Sequence, residues 1–267
     1  SRRRHTRYPL VTGVQTCALP IFLSIFFIFL CVIFKSTLAV EMISNFNGTG
    51  HNLPPSWKII RLEKHVPETQ YSQIVWDGIP AVEAKADSSM ALLGRFVEID
   101  LNQTPILCWQ WRIDHVIKTA EMSKRQGDDY AARIYLAFSL PSTALSLADK
   151  AELAVARQLF GQPIPDGAIN YVWDNKYPIG TIASNAYTSR AKMVVQRSGN
   201  ADAGKWVNER VNVLEDLGRF FGTKKGRVEL LALAADTDNT KEKARAGFAN
   251  IAFTRVDETC PLMAAEP

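Results

Sequence analysis

The chain has 267 residues, of which 31 are lysine or arginine and 27 are aspartate or glutamate, giving a formal net charge of +4. Five of the basic residues and none of the acidic ones lie in residues 1–39, so residues 40–267 carry 26 basic side chains against 27 acidic ones. This near-neutral remainder argues against a nucleic-acid partner, because binding phosphates requires a basic surface. Its 228 residues are enough to bury the core of one domain without additional cross-links.

The first 39 residues are predicted to be a leader that does not belong to the folded domain. Val11–Ile21 reads VTGVQTCALPI, as a translated sequencing adapter does, so we interpret residues 1–21 as an assembly artefact. Residues 22–34 are apolar over the length of a signal-peptide core, whereas a membrane-spanning helix needs about 20 such residues. The sequence TLA then places the cleavage site after Ala39.

A cleaved signal peptide predicts export to the periplasm or secretion. The alternative is an uncleaved N-terminal anchor, through which alone the protein would contact a membrane. No repeat, low-complexity segment or linker divides residues 40–267, so we expect a single domain there.

Short runs of strand character alternate with turn signals such as Asp77-Gly78 along this domain. The predicted helices are Ser146–Phe160, which Gly161 would end, and Val213–Phe221, which lies before Gly222. Many short strands and few helices predict an all-β sandwich or barrel. The predicted strands are Ser56–Ile60, Tyr71–Trp76, Ala81–Ala86, Met90–Ile99, Ile106–Ile113, Tyr130–Phe138, Ile169–Trp173, Ala191–Arg197, Trp206–Val211, Arg227–Ala235 and Phe248–Val256.

The run Ile106–Ile113 alternates as a strand does, with Trp109 and Trp111 on one face and Arg112 on the other. Two interpretations of the tryptophans remain open. They are either core residues or exposed rings that stack on the apolar face of a sugar. Because Arg112 points away from them, we expect it to join the polar cluster that begins at Asp128.

That polar cluster lies in the segment GDDYAARIYLAF, where Asp128 and Asp129 precede a strand that carries Arg133. An aspartate paired with an arginine fixes geometry through two parallel hydrogen bonds. The cluster is interpreted either as a ligand-binding patch that holds hydroxyl groups or as an ion-pair network that anchors two neighbouring strands.

The segment NYVWDN supplies two further candidate ligand-binding residues, Asn170 and Trp173. Trp173 lies next to a turn, so its ring is predicted to face a ligand. The alternative is that it covers the end of the sandwich.

The segment DTDNT follows an apolar strand and contains Asp236, Asp238 and Asn239. It matches a phosphotransfer signature literally, but that signature requires alternating strands and helices, which this chain lacks. Three interpretations remain open. The segment is a turn that satisfies its own backbone, a ligand-facing rim, or a calcium site in which Asp236 and Asp238 supply oxygen ligands.

Catalysis has little support in the sequence, so whether the protein is an enzyme stays open. His51, His65 and His115 lie in no known nucleophile or metal motif. Glycoside hydrolysis needs only two carboxyl groups about 5–9.5 Å apart. The candidates for such a pair are Asp128 or Asp129 together with Asp236 or Glu209.

Residues 40–267 contain two cysteines, Cys108 and Cys260. In an oxidising compartment they would pair and tie the C-terminal tail to a strand. Otherwise they remain thiols, with Cys108 as a small core residue. The sequence leaves both alternatives open.

The segments WQWRID, GDDYAARIYLAF, NYVWDN and DTDNT, followed by GFANIAF, resemble in order and spacing the bacterial family called domain of unknown function 3047. The resemblance covers residues 44–255. It implies an exported bacterial protein with a sandwich fold and no established activity. By fold-level analogy it also suggests a galactose-binding-like jelly roll, a class that often holds sugars or polymers.

The leading hypothesis is therefore an exported β-sandwich that binds a carbohydrate or a cell-envelope polymer. The alternatives are a polysaccharide hydrolase or lyase on the same scaffold, and a structural or protein-binding envelope protein. The predicted ligand-binding residues are Arg112, Asp128, Asp129, Arg133, Asn170, Trp173, Asp236, Asp238 and Asn239.

Overall fold

The computed structural model describes residues 40–160 and 164–261, which form two β-sheets. Two α-helices are inserted between strands, α1 (Leu147–Phe160) and α2 (Val213–Phe221). The strands are β1 (Glu41–Met42), β2 (Lys58–Ile60), β3 (Gln70–Trp76), β4 (Ile79–Asp87), β5 (Leu92–Asp100), β6 (Ile106–Ile113), β7 (Ala132–Ser139), β8 (Gly167–Asp174), β9 (Ile182–Ser184), β10 (Ala191–Ser198), β11 (Val207–Asn212), β12 (Arg227–Ala234) and β13 (Lys243–Thr254).

The two sheets are assembled from strands that are distant in the chain. The six-stranded sheet has the order β11-β6-β13-β4-β3, with β1 paired to β13, and the seven-stranded sheet has the order β2-β5-β12-β7-β8-β10-β9. Neighbouring strands are antiparallel, except that β8 and β10 are parallel. The predicted all-β sandwich with inserted helices is confirmed.

Every predicted strand overlaps a strand of the structure, and both helices are found. Helix α2 has the predicted bounds because its end signals are strong. The Asn212 side chain accepts a hydrogen bond from the Glu215 amide at the start, and Gly222 adopts a left-handed conformation (φ 67°) at the end. Gly161, the predicted end of α1, lies outside the described residues.

Aromatic rings from both sheets meet in the core of the sandwich. Trp109 and Trp111 extend from β6, and Tyr171 and Trp173 extend from β8. The ring centroids of Trp109 and Tyr171 are 5.6 Å apart, and those of Trp111 and Trp173 are 5.7 Å apart. Of the two interpretations of Trp109 and Trp111, the core interpretation is the one that the structure supports.

The inward direction of these rings fixes which residues reach the outer face of the seven-stranded sheet. Side chains alternate between faces along a strand. In β7, Ile134 therefore points into the core, while Arg133 and Tyr135 point outwards. In β8, Asn170 also points outwards, because the residues before and after it point into the core. In the pairing of β7 with β8, Tyr135 lies directly opposite Asn170.

The segment from Ala235 to Glu242 connects the two sheets at one end, because β12 belongs to one sheet and β13 to the other. The segment that enters β7 lies against this connection. The Asp236 amide donates a hydrogen bond of 3.1 Å to the carbonyl of Tyr130. The two predicted acidic segments, GDDY and DTDNT, are thereby brought together.

A disulfide bond joins Cys108 on β6 to Cys260, with the two Cα atoms 5.7 Å apart. Of the two alternatives left open by the sequence, the structure contains the paired cysteines. The bond holds the residues after β13 to the six-stranded sheet. Within the described residues, neither helix combines the length and the apolar character needed to cross a membrane.

Candidate functional site

A cleft of about 320 Å³ lies on the outer face of the seven-stranded sheet, at the end where the GDDY and DTDNT segments meet. Its position follows from the sheet order, since β7 and β8 are neighbours and carry outward polar residues side by side. Six of the nine predicted ligand-binding residues line this cleft. They are Asp128, Arg133, Asn170, Asp236, Asp238 and Asn239.

The floor of the cleft contains an ion pair between Arg133 and Asp236, whose side chains are 9% and 1% exposed. The Arg133 guanidinium also lies 5.2 Å from the centre of the Tyr130 ring. The segment GDDYAAR predicts that Arg133 pairs with an aspartate close to it in the chain, but its partner Asp236 is 103 residues away. The sheet order explains this, because Arg133 on β7 lies opposite Ala234, the last residue of β12.

Three carboxyl groups of the cleft have pKa values above their usual range. Burial raises the pKa of Asp236 well above its ordinary value, and the charge of Arg133 opposes this only in part. Burial also raises the pKa of Asp128 and of Asp238. The negative charges of neighbouring aspartates add to the effect at each of the three positions.

Several buried polar atoms around the floor make no hydrogen bond with the described residues. They include three acceptor oxygens, the Oδ1 atoms of Asp128, Asn170 and Asp236. The Tyr130 hydroxyl and the Arg133 Nε atom are also unpartnered. Buried polar groups in proteins nearly always have a hydrogen-bond partner. Five unpartnered polar atoms around one cleft therefore indicate that a ligand or water supplies their hydrogen bonds.

Asp129 has a different role, since it holds the DTDNT segment in place. It is fully buried and does not line the cleft. Its Oδ1 accepts hydrogen bonds from the backbone and side-chain amides of Asn239, and its Oδ2 accepts one of 2.6 Å from the Thr240 amide. Asp129 therefore positions Asn239, which does line the cleft.

The predicted calcium ligands Asp236 and Asp238 gain a third carboxylate in the structure. One oxygen each from Asp129, Asp236 and Asp238 lie within 4.8 Å of one another. However, both oxygens of Asp129 already accept amide hydrogen bonds, and one oxygen of Asp236 contacts Arg133. Calcium takes six to eight oxygen ligands, so this donor set fits it poorly, and the metal site stays a prediction.

Apolar and aromatic side chains border this polar floor. Leu62, Met90, Leu92 and Tyr135 contribute apolar surface. The ring of Tyr187 also lines the cleft and is 51% exposed.

The Tyr187 ring is held in place by its own contacts. The Arg125 guanidinium lies 5.1 Å from its centre, and its hydroxyl group lies 3.2 Å from the Asn239 Oδ1 atom. The neighbouring Asn185 side chain donates a hydrogen bond of 2.8 Å to Asp128 Oδ2.

The cleft residues that the sequence does not single out include Tyr135, Asn185 and Tyr187. A signal for Tyr135 exists, because alternation along β7 places it on the same face as Arg133. Asn185 and Tyr187 follow the short strand β9, which has no clear alternation in the sequence. Their place in the cleft depends on the pairing of β9 with β10, which local sequence does not specify.

The prediction that Trp173 faces a ligand is wrong. Its side chain is 1% exposed in the core, and its Nε1 donates a hydrogen bond of 2.9 Å to the Gly199 carbonyl. The physical reason is strand periodicity. Asn170 and Trp173 are three residues apart on β8, so they point to opposite faces and cannot line the same site.

The prediction that Arg112 joins the cluster of Asp128, Asp129 and Arg133 is also wrong. Arg112 belongs to the six-stranded sheet and points to that sheet's outer face, on the other side of the sandwich from the cleft. It forms an ion pair with Asp77 and donates a hydrogen bond of 3.0 Å to the Gly204 carbonyl.

Three solved structures are similar to this chain at 7–8% sequence identity. A family 12 xyloglucanase from Bacillus licheniformis has a TM-score of 0.43 over 81% of this chain and 99% of its own. The xyloglucanase domain of NopAA, a type three effector from Sinorhizobium fredii, has a TM-score of 0.40 over 79% and 99%. Endoglucanase 3 of Trichoderma harzianum, from family GH12, has a TM-score of 0.36 over 76% and 100%. No activity of this chain follows from that likeness.

No curated protein matches the chain. Residues 55–252 match the family described as protein of unknown function (DUF3047). The match covers most of the chain and confirms the resemblance carried by the segments from WQWRID to GFANIAF. The chain therefore belongs to the DUF3047 family.

Proposed function

We propose that the protein binds a carbohydrate in the cleft on the outer face of its seven-stranded sheet. One observation carries this proposal. The cleft joins exposed aromatic and apolar surface to a floor of buried polar atoms that make no hydrogen bond with the described residues. Ligand sites typically combine these two features, an apolar lining with a few convergent polar groups.

The chemistry of a sugar matches both parts of the cleft. A sugar ring has hydroxyl groups at its edge and apolar C–H groups on its face. Carboxylate and amide oxygens such as those of Asp128 and Asn170 accept hydrogen bonds from hydroxyl groups, and the Tyr187 ring offers a surface for the C–H face. The volume of about 320 Å³ lies at the small end of ligand pockets, which favours a short segment of a glycan.

A panel of oligosaccharides tested by thermal melting would examine this proposal. A ligand at 100 times its dissociation constant stabilises a protein by about 2.7 kcal/mol, which corresponds to a shift of several degrees for a domain of this size. We expect one class of sugar to raise the melting temperature. Tyr187→Ala should abolish the shift, whereas Phe96→Ala should not, because Phe96 is an exposed aromatic residue of the same sheet outside the cleft.

A panel without any shift would refute the proposal, and so would a shift that survives in Tyr187→Ala and disappears in Phe96→Ala. The melting temperatures of the two variants without sugar control for damage to the fold. Both replaced rings are more than half exposed, so neither variant should lose much stability.

Hydrolysis of the bound glycan is the second candidate function, and the carboxyl groups of the cleft favour it. Asp128 and Asp236 both line the cleft and both have a raised pKa, as a general acid in a glycosidase does. Glu209, the other candidate partner, bonds to Trp111 and Arg197 and does not line the cleft. Shorter oligosaccharides released by the wild type and not by Asp128→Asn would establish hydrolysis.

We further propose that the protein is exported to the periplasm or secreted, with residues 1–39 removed and residues 40–267 remaining. The disulfide between Cys108 and Cys260 supports this, because such bonds persist in oxidising compartments. The apolar segment of residues 22–34 lies outside the described residues. Cell fractionation followed by N-terminal sequencing tests the proposal, with Val40 as the expected first residue. A cytoplasmic protein with free thiols would contradict it.

A further inference from the structure

The cleft has a marked excess of negative charge. Among the described residues that line it, Glu63, Asp128, Asp236 and Asp238 are acidic and Arg133 alone is basic. Asp129 lies directly behind and adds a further carboxylate. An anionic sugar such as a uronic acid would be repelled there, because like charges in a partly buried site interact strongly.

The unpartnered oxygens of the floor show which group would complement this charge. Asp128, Asn170 and Asp236 all line this cleft, each side chain is at least nine-tenths buried, and the Oδ1 atom of each makes no hydrogen bond with the described residues. Asn170 is not acidic, so it is independent of the charge excess. A protonated amine carries three N–H donors, one positive charge and no acceptor, and therefore matches three acceptor oxygens in an acidic site.

The remaining groups of the cleft suit the rest of such a ligand. The Arg133 Nε donor is also unpartnered and can be satisfied by a hydroxyl oxygen. The rings of Tyr135 and Tyr187 attract a cation placed over their faces. A ligand that combines an ammonium group with hydroxyl groups can thus satisfy both the acceptors and the donor.

A protonated amine fits the floor better than a metal ion does. Asp129 would be a necessary calcium ligand, but its two oxygens hold the amides of Asn239 and Thr240. The Arg133 guanidinium contacts Asp236 and would repel a divalent ion about twice as strongly as a singly charged ammonium group at the same distance. An ammonium group needs only three acceptors, which is the number of acceptor oxygens at the floor without a hydrogen bond to the described residues.

We propose that the cleft selects an amino sugar whose amine is free and protonated. This deepens the proposed function and depends on it, since the ammonium group would be one substituent of the bound carbohydrate. The amine contacts Asp128, Asn170 and Asp236, and the sugar hydroxyl groups contact the surrounding polar residues.

Three tetrasaccharides with the same β-1,4 linkage allow a test that needs no variant. They are the tetramers of glucosamine, of N-acetylglucosamine and of glucose, which differ at carbon 2 in carrying an amine, an acetamide or a hydroxyl group. Binding to the wild-type protein is measured by calorimetry below the pKa of the amine. We expect the glucosamine tetramer to bind at least about tenfold more tightly than the other two, with an affinity that falls as salt is added.

Equal or tighter binding of the glucose or N-acetylglucosamine tetramer would overturn this inference and leave carbohydrate binding intact. A lack of binding by all three tetramers and by the wider sugar panel would instead refute the proposed function itself. Calcium chloride alone is the remaining probe. Calcium binding that excludes the glucosamine tetramer would overturn the inference in favour of a metal site.

Asp128→Asn provides a second, residue-specific test. It removes one negative charge while keeping the size of the side chain. The preference for the glucosamine tetramer, measured as the ratio of its affinity to that of the glucose tetramer, should then fall several-fold. The melting temperature of the variant without sugar controls for folding, and an unchanged preference would contradict the assignment.

Discussion

Each outer face of the sandwich carries a buried arginine paired with an aspartate, yet the two arginines lie in opposite surroundings. Arg112, on the six-stranded sheet, stacks on the Trp76 ring at 4.1 Å and contacts Asp77, whose side chain is 63% exposed. Arg133, on the seven-stranded sheet, contacts Asp236, which is 1% exposed and lies in a cleft. The Arg112–Asp77 pair thus lies at the protein surface, whereas the Arg133–Asp236 pair lies at the bottom of the cleft.

The difference lies in how completely the chain satisfies each region. Ten buried side-chain atoms of the described residues make no hydrogen bond, and five of them belong to Arg133 and the residues around its ion pair. The Arg112 region contributes one of the ten, its own Nε. An arginine–aspartate pair therefore has a structural role where neighbouring side chains satisfy the polar atoms around it, as at Arg112. It becomes a candidate binding site where acceptors around it lack hydrogen-bond partners among the described residues, as at Arg133.

Replacement of Arg133 or Arg112 should have the largest effect on the free energy of unfolding. Arg133→Met should lower the free energy of unfolding by about 3–5 kcal/mol, because it leaves buried carboxylates without their cation. Arg112→Met should cost about 1–2 kcal/mol, because Asp77 is exposed to water and the main losses are the stacking contact and the hydrogen bond to the Gly204 carbonyl. Urea unfolding measures both values. Equal losses in the two variants would contradict the distinction between the two regions.

Removal of the disulfide tests whether stability on the six-stranded sheet can be lowered without changing sugar binding on the seven-stranded sheet. The double change Cys108→Ser and Cys260→Ser should lower stability by about 2–4 kcal/mol, because the bond closes a loop with a sequence separation of 152 residues. Sugar affinity should stay unchanged, since the bond lies on the six-stranded sheet. A folded double variant that no longer binds sugar would show that the two faces are coupled.

The change of Asp128 between its neutral and charged forms has the smallest expected effect on the free energy of unfolding. Burial raises its folded pKa above the ordinary value of 3.8, with a contribution from Asp129 and opposing contributions from Arg133 and Asn185. Stability from a neutral buried acid is therefore complete below the unfolded pKa and is lost as pH rises through the folded pKa.

Relative to Asp128→Asn, which cannot titrate, the wild type should become less stable as pH rises from acid towards neutral. Carboxyl groups with a lowered pKa, such as Asp100, act in the opposite direction but equally in both proteins. Chemical unfolding across this pH range measures the difference. A difference that is independent of pH would mean that burial does not perturb Asp128.

Sequence patterns predict the elements of this fold well because the determining signals are local. Helix α2 has a capping asparagine at Asn212 and a terminal Gly222, and β6 alternates without interruption. Much of the cleft is also predicted, since Asp128, Arg133 and Asp236 stand out as charged residues next to apolar strands. These signals come from the residue and its immediate neighbours.

The wrong prediction for Arg112 and the absence of Tyr187 from the predicted site concern facts that local sequence does not contain. Arg112 and Arg133 look alike in sequence, but their strands belong to different sheets, and sheet membership depends on pairing between distant segments. Tyr187 enters the cleft through the pairing of β9 with β10, which no local pattern marks. Trp173 differs from both, because alternation along β8 alone places it and Asn170 on opposite faces of the sheet.

Side-chain amide resonances offer the most direct test of the account, because Asn170 and Asn185 line the cleft while Asn102 and Asn208 lie elsewhere. In nuclear magnetic resonance titrations with the glucosamine and glucose tetramers, we expect the amides of Asn170 and Asn185 to shift in a saturable manner. The amides of Asn102 and Asn208 should stay unchanged. Saturable shifts confined to the second pair, or none at any concentration of sugar, would contradict carbohydrate binding at this cleft.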